Sequence, residues 1–197
     1  MAHARPQMRD IVIETRRLVM RPLAPGDATA LATIASDPRV GLMLGLVPCP
    51  CPVSHAEQWV TDAPAQIAAG TDYPLAVRDK ATGTLIAGAG LDERVSLGAS
   101  GYEYELGYWF DPAYWGQGLA TECAIAMRDW GFAVLKAGRL RATCLMDNPG
   151  SARVLEKTGF HYVNTVLTHR PARGVDALVC RYRMDKPRWD RVQGSAV

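Results

Sequence analysis

Two neighbouring features of this chain carry residues of the right type and spacing for chemistry. Along residues 102–110, YEYELGYWF, strand alternation puts Glu103, Glu105, Gly107 and Trp109 on one face. Tyr102, Tyr104, Leu106, Tyr108 and Phe110 take the other. Two carboxylates two residues apart on one strand face lie about 7 Å from each other. Mutual repulsion and partial burial at that distance raise a carboxylate pKa. Such a group can accept a proton from a reacting centre, directly or through a water. The plain alternative is two solvent-facing strand residues. The same strand runs through the turn signal Asp111-Pro112 into the loop Trp115-Gly116-Gln117-Gly118-Leu119-Ala120, which opens a helical pattern. A helix start of this kind leaves N–H groups unpaired where the helix dipole adds positive potential, an arrangement suited to a phosphate or pyrophosphate.

Several phosphate loops could be meant. A dinucleotide fingerprint needs G-x-G-x-x-G in an early βαβ unit with an acidic residue further on. Here only Gly116-x-Gly118-x-x-Thr121 is present, past the middle of the chain. A P-loop needs Gly-Lys-Ser/Thr, which the chain lacks. Alone, the loop could also be a glycine turn that merely starts a helix.

The segment YELGYWFDPAYWGQGLATE, residues 104–122, resembles motif A of the GNAT superfamily of acyl-CoA-dependent N-acyltransferases, in the version found in the branch similar to RimJ and RimL. Trp115 stands where the general motif has Gln or Arg, a departure normal for that branch. The likeness extends along most of the chain. ETRRLVMRPLAPGDATAL (14–31) resembles the family's opening strand and helix, YPLAVRDKATGTLIAGAGL (73–91) its second and third strands, and NPGSARVLEKTGF (148–160) its motif B.

The resemblance implies acetyl-CoA as cosubstrate, no metal, and direct attack by a primary amine in a ternary complex. The acceptor would be a protein N-terminal amine or an amine-bearing small molecule. A non-catalytic acyl-CoA-binding or regulatory module of the same fold is the alternative. By resemblance, the main chain of Gln117, Gly118, Leu119, Ala120 and Thr121 holds the pyrophosphate, and that of Trp109 and Phe110 meets the pantetheine arm. Glu105 matches the glutamate of the family's Glu-Ile-Gly-Tyr strand and becomes the expected general base, with Glu103 second. Asn148 is read from its position before Pro149 as a helix N-cap, and by resemblance as a pantetheine contact too. Leu155 occupies the position where many family members carry an acidic tyrosine, and Leu cannot donate a proton. The branch pattern then points to Ser151 as the donor to the departing thiolate. Arg170 and Arg173 could meet a substrate carboxylate or simply be solvated.

These residues must be positioned by a single domain, expected over 11–185 with tails at 1–10 and 186–197. Strand patterns are read at 11–22, 73–79, 84–91, 102–110, 140–146, 160–168 and 177–185. Helices start at Pro25-Gly26-Asp27, at a capping box on Ser54, after the phosphate loop and at Asn148-Pro149. Residues 41–52 and 98–101 read as loops, and Pro64 is expected to break or kink its helix. The fold class is α+β, sharpened by the resemblance to a GNAT-like mixed, mostly antiparallel sheet flanked by helices, with a splayed central strand pair.

Composition narrows the classes further. The chain has 197 residues, 48% hydrophobic and 21% charged, with net charge +2. Neither a nucleic-acid surface nor a polybasic membrane patch is indicated, and no apolar run is long enough to span a bilayer. The first ten residues lack the apolar core of a signal peptide, so a cytoplasmic location is expected; a homodimer is compatible with the pattern. Five cysteines are scattered without a disulfide framework, and Cys49-Pro50-Cys51 with His55 lacks a second ligand pair at zinc spacing.

Overall fold

Alternation of apolar residues along the predicted strands sorts them into one sheet. The computed structural model describes residues 6–98 and 101–194. Its strands are β1 (Ile13–Glu14), β2 (Leu18–Pro22), β3 (Leu75–Asp79), β4 (Leu85–Ser96), β5 (Tyr102–Phe110), β6 (Arg139–Leu145), β7 (His161–Arg170) and β8 (Val175–Asp185). They form a single sheet in the order β1-β2-β3-β4-β5-β6-β8-β7. Every neighbouring pair is antiparallel except β5 and β6, which run parallel. The mixed, mostly antiparallel α+β architecture expected from the chain is therefore present.

Helices α1 (Ala28–Ser36), α2 (Pro38–Gly41), α3 (Val53–Ala69), α4 (Leu119–Ala133), α5 (Pro149–Lys157) and α6 (Lys186–Gly194) complete the fold. Two apolar clusters sit on opposite faces of the sheet. Tyr104, Leu106 and Phe110 of β5 pack with Leu119, Cys123 and Met127 of α4 and Leu155 of α5. Leu31 and Ile34 of α1 pack with Val60 and Ala63 of α3 and with Trp109 from the other face of β5. Burial of whole faces of this kind supplies most of the folding free energy, and it fixes which side of β5 each candidate residue occupies.

Three local expectations change. The stretch read as one strand over 11–22 is a tight hairpin, with Ile13 opposite Met20. Thr15 makes the turn: its N–H donates to the Leu18 carbonyl at 3.0 Å and its hydroxyl accepts from the Leu18 N–H at 2.9 Å. Helix α3 continues unbroken past Pro64 and is capped at Pro52 rather than by a Ser54 cap. Pro64 lies on the exposed side, so the buried stripe Ala56, Val60, Ala63 and Ile67 holds the helix across the missing donor. The segment from 186, expected as a tail, carries α6, because Trp189 stacks on Phe132 at 5.3 Å and donates its indole N–H to Asp129 at 2.6 Å. The outermost parts of the expected tails (1–5 and 195–197) and residues 99–100 of the expected 98–101 loop lie outside the described residues.

One buried charge ties the helical layer to the sheet. Asp27 is fully buried at the start of α1, accepts from the Ala24 N–H at 2.8 Å and is paired with both Arg21 of β2 and Arg78 of β3.

Candidate active site

The site begins where two parallel strands part. β5 and β6 pair only from Glu103–Arg139 to Glu105–Arg141, although β5 continues to Phe110 and β6 to Leu145. Beyond Glu105 the strands diverge. The ladder fixes which main-chain groups face the opening. Asp111 N–H bonds to Ile86 of the β4 side at 2.8 Å, while the Tyr102 carbonyl accepts from Gly138 on the β6 side at 3.0 Å. Alternation then turns the polar main chain of Leu106, Tyr108 and Phe110 into the gap and that of Trp109 toward its partner Gly88. Gly107 sits beside the gap, and a Cβ built on it would meet nothing within 4 Å. The sequence-based expectation thus changes at Trp109, whose main chain belongs to the β4 ladder and whose indole packs over Gly88 and beside Trp59 at 6.2 Å. Phe110 does face the gap, and its carbonyl already accepts the Trp115 indole N–H at 2.9 Å. The unusual tryptophan of the loop therefore braces the loop on the strand.

At one end of the gap the loop turns through two left-handed glycines, Gly116 at φ 75° and Gly118 at φ 76°, backbone that other residues adopt only with strain. Helix α4 starts at Leu119, with Gly118 as an N-cap lacking a side-chain bond. The first N–H of the helix that reaches back is Glu122, to the Gly118 carbonyl at 3.1 Å. The N–H groups of Leu119, Ala120 and Thr121, with those of Gln117 and Gly118 before them, form a cradle at the positive end of a helix of 15 residues. Its walls are held by a residue that sequence reasoning missed. Arg17, in the β1–β2 turn, donates to the Gln117 carbonyl at 2.9 Å and to Glu122 at 2.7 Å, while Thr15 donates to the same carboxylate at 2.6 Å. Burial works against ionisation of Glu122, but the hydrogen bonds from Thr15 and Arg17 prevail and hold its pKa below the ordinary value. Only the hairpin, invisible as such in the sequence, brings Arg17 there.

Across the gap, the start of α5 supplies polar groups. Asn148 caps the helix, its side-chain oxygen accepting from the Ser151 N–H at 3.0 Å. The Ser151 hydroxyl lies 3.1 Å from the Tyr108 phenol oxygen. Burial pushes the Tyr108 phenol well above its usual range, so it stays protonated. Leu155 is fully buried behind them.

The opposite face of the sheet is charged. Register aligns Asp72, Asp92, Glu105, Arg141 and Arg183 in one row across neighbouring segments, and cross-strand partners share a face. Glu105 is held by four contacts: Arg94 Nε at 3.0 Å, Arg141 Nη2 at 2.9 Å and Nε at 3.0 Å, and the Thr143 hydroxyl at 3.0 Å. Glu103 is buried and paired with Arg139 at 3.3 Å and Arg141 at 3.5 Å. The two glutamates thus meet guanidinium groups where the sequence suggested mutual repulsion. Asp92 pairs with Arg94 at 2.8 Å. Among the described residues no ion pair engages Asp72, and burial, reinforced by the Asp92 charge, pushes its carboxyl up to about 6. A cavity of about 390 Å³ connects Asp72, Asp92 and Glu105 with Gly107, Tyr108 and Ser151. Arg170 lines it as well. Arg173 does not: it clasps the Leu42 carbonyl at 2.8 Å and Asp147 at 2.7 Å. Asp72 and Asp92 gave no signal in the sequence because only the sheet register joins them to Glu105.

The comparisons with known proteins converge on one family. The model of the acetyltransferase (GNAT) domain matches residues 17–161. The uncharacterized N-acetyltransferase YoaA of Bacillus subtilis is 27% identical over 179 residues, 90% of this chain and 98% of that protein. Three other curated relatives from Bacillus subtilis are matched over about a third of their own length. Among solved structures, the ribosomal-protein-S5-alanine acetyltransferase of Vibrio fischeri superposes with TM-score 0.77 at 18% identity, over 91% of this chain and 99% of that one. RimJ of Mycobacterium smegmatis, in complex with CoA-disulfide, does so with TM-score 0.76 at 19% identity, over 86% and 82%. With the acetyltransferase (GNAT) domain matched over residues 17–161, which take in strands β2 to β6, the glycine loop and helix α5, the chain belongs to the GNAT family of acetyltransferases.

Proposed function

We propose that this enzyme moves an acetyl group from acetyl-CoA to a primary amine by direct attack in a ternary complex. The observation that carries the reading is the parting of β5 and β6 beside Gly107, which opens a strand edge between the α4 cradle and Ser151. A pantetheine arm fits such an edge as an added strand, bonding to the gap-facing main chain of Leu106 and Tyr108 and to the Phe110 N–H, since the Phe110 carbonyl already holds the Trp115 indole. Its pyrophosphate fits the N–H groups of Gln117, Gly118, Leu119, Ala120 and Thr121, and Asn148 offers its remaining amide to the arm. The thioester then lies in the sheet plane, with the carboxylate row on one face and Ser151 on the other. The amine enters from the first face and the thiolate leaves toward the second.

In this reading Ser151 donates a hydrogen bond, and then a proton, to the sulfur. Glu105 and Glu103 supply fixed negative charge that, with Asp72 and Asp92, attracts an ammonium group. The RimJ/RimL-like motif, together with a Vibrio fischeri neighbour named for acting on a ribosomal protein, supports a protein N-terminal amine as acceptor; a small polyamine meets the same charge. Five free cysteines support a reducing compartment such as the cytoplasm. Buried Leu155 in place of a tyrosine acid is the observation that favours the second reading, an acyl-CoA-binding module without turnover.

Release of free thiol from acetyl-CoA, followed against a panel of small amines and unblocked peptides, separates the two. Thiol release that depends on the amine is expected. Binding of CoA without release for any acceptor selects the second reading.

A further inference from the structure

Deprotonation of the acceptor needs a carboxylate that is ionised near neutral pH yet basic enough to take a proton. Glu105, the residue singled out by its position in the sequence motif, is poorly suited. Its Oε2 receives Arg94 and Arg141 and its Oε1 receives the Thr143 hydroxyl. Both of its oxygens are thus already occupied by donors rather than turned toward an incoming ammonium. Glu103 is paired with two arginines in the same way, and Asp92, although burial raises its carboxyl too, carries the Arg94 ion pair that Asp72 lacks.

We propose that Asp72, at the far end of the carboxylate row from the arginines, is the group that takes the proton from the acceptor ammonium. This rests on the acetyl-transfer reading above. Asp72 lines the same cavity as Gly107 and Ser151, is half-buried, and has no ion-pair partner among the described residues. The charged groups that share the cavity with it are Asp62 from α3, Asp92 and Arg94 from β4, and Glu105 from β5. Arg141 stands behind Glu105, and Arg170 closes the cavity from β7. Burial first, and then the Asp92 charge, disfavour its ionised form, while the Tyr73 N–H and Arg94 support it, which leaves a carboxylate basic enough to compete for an ammonium proton and still ionised at neutral pH.

The step balances. An ammonium R–NH3+ gives one proton to Asp72, and the freed nitrogen pair forms the C–N bond. The C–S bond breaks with its electron pair on sulfur. One further N–H proton is lost as sulfur gains one through Ser151, so the amide keeps a single N–H. Asp72 releases its proton to solvent, the one proton made per turnover.

The test has a readout that needs no acceptor. Side-chain carboxyl carbon resonances are titrated in the wild type and in Asp72→Asn, and the signal lost in the variant is expected to titrate near 6. Turnover is measured with spermidine and with an alanine-initiated peptide. Asp72→Asn is expected to lower kcat/KM about 100-fold at neutral pH and to remove the acid limb of the profile. CoA should still raise its Tm, which shows that the variant is folded. Glu105→Gln is expected to keep that limb. A carboxyl titrating in the ordinary range overturns the assignment, as does an acid limb that survives Asp72→Asn or vanishes in Glu105→Gln. A wild type that binds CoA but acetylates neither amine strikes the enzymatic reading, and the acceptor-free titration tells that failure apart from this one.

Discussion

The Tyr108 phenol and the Ser151 hydroxyl, on β5 and α5, stand 3.1 Å apart at the mouth of the strand gap. Burial keeps the phenol protonated at any working pH, so it can donate to the Ser151 oxygen and leave the serine proton free to turn toward a departing thiolate. Ser151→Ala is therefore expected to lower kcat by roughly 10-fold to 100-fold, below the upper range for a general acid, with CoA affinity little changed. Tyr108→Phe should cost less. In the double variant the two losses should not add, because both act through one hydrogen bond. Additive losses in steady-state kinetics would separate the two residues.

The Arg17–Glu122 clasp predicts a pH dependence with a definite sign. A carboxylate whose folded pKa is depressed stabilises the fold above its unfolded pKa, and that contribution is lost as pH falls through the folded value. Glu122 is such a group. Glu122→Gln is expected to lower stability at neutral pH by roughly 1.5–3 kcal/mol, the range for hydrogen bonds to a charged group. The difference from wild type should close in acid, below the ordinary carboxylate range. Denaturant unfolding at several pH values measures it; a difference that is constant with pH would remove the clasp from the account.

Asp27 predicts a loss confined to stability. It is buried beneath two arginines on the sheet, far in function from the strand gap. Removing the buried member strips two partly exposed arginines of their shared partner, and breaking a buried pair of this kind costs about 3–5 kcal/mol. Asp27→Ala should lower the unfolding free energy by that amount, and the urea midpoint with it, while leaving kcat/KM of the folded fraction unchanged. Normal stability in urea would contradict the buried-anchor role.

The glycine loop and the helix start after it were legible in the sequence because their signals are local: glycines, a proline turn and a helix start lie within a few residues. The strand faces of 102–110 were legible for the same reason, since a period of two needs no tertiary knowledge. Trp109 illustrates the limit. Its side-chain face could be read, but which neighbour takes its main-chain bonds depends on the register with Gly88. Glu105 shows a second limit, because its arginine partners come from β4 and β6, and Asp72 a third, because only the sheet register places it in the row. Arg17 reaches Gln117 across 100 residues through a hairpin that the apolar pattern presented as one strand.

The same register that turns the main chain of Leu106, Tyr108 and Phe110 toward the gap predicts what a side chain at Gly107 would do. A Cβ there meets no atom within 4 Å, so Gly107→Val should fold with near-normal stability; β-branched residues also suit strands. The new methyl groups would stand beside the opening where the pantetheine arm is proposed to lie. CoA binding should fall at least 10-fold and the CoA-induced rise in Tm should shrink accordingly, while the unliganded Tm stays close to wild type. Gly118→Glu should abolish CoA stabilisation too, but by filling the phosphate cradle and straining a left-handed backbone, so its unliganded Tm should drop as well. Thermal shift with and without CoA distinguishes the two effects. A Gly107→Val protein that binds CoA as tightly as the wild type would move the pantetheine path away from the β5 edge.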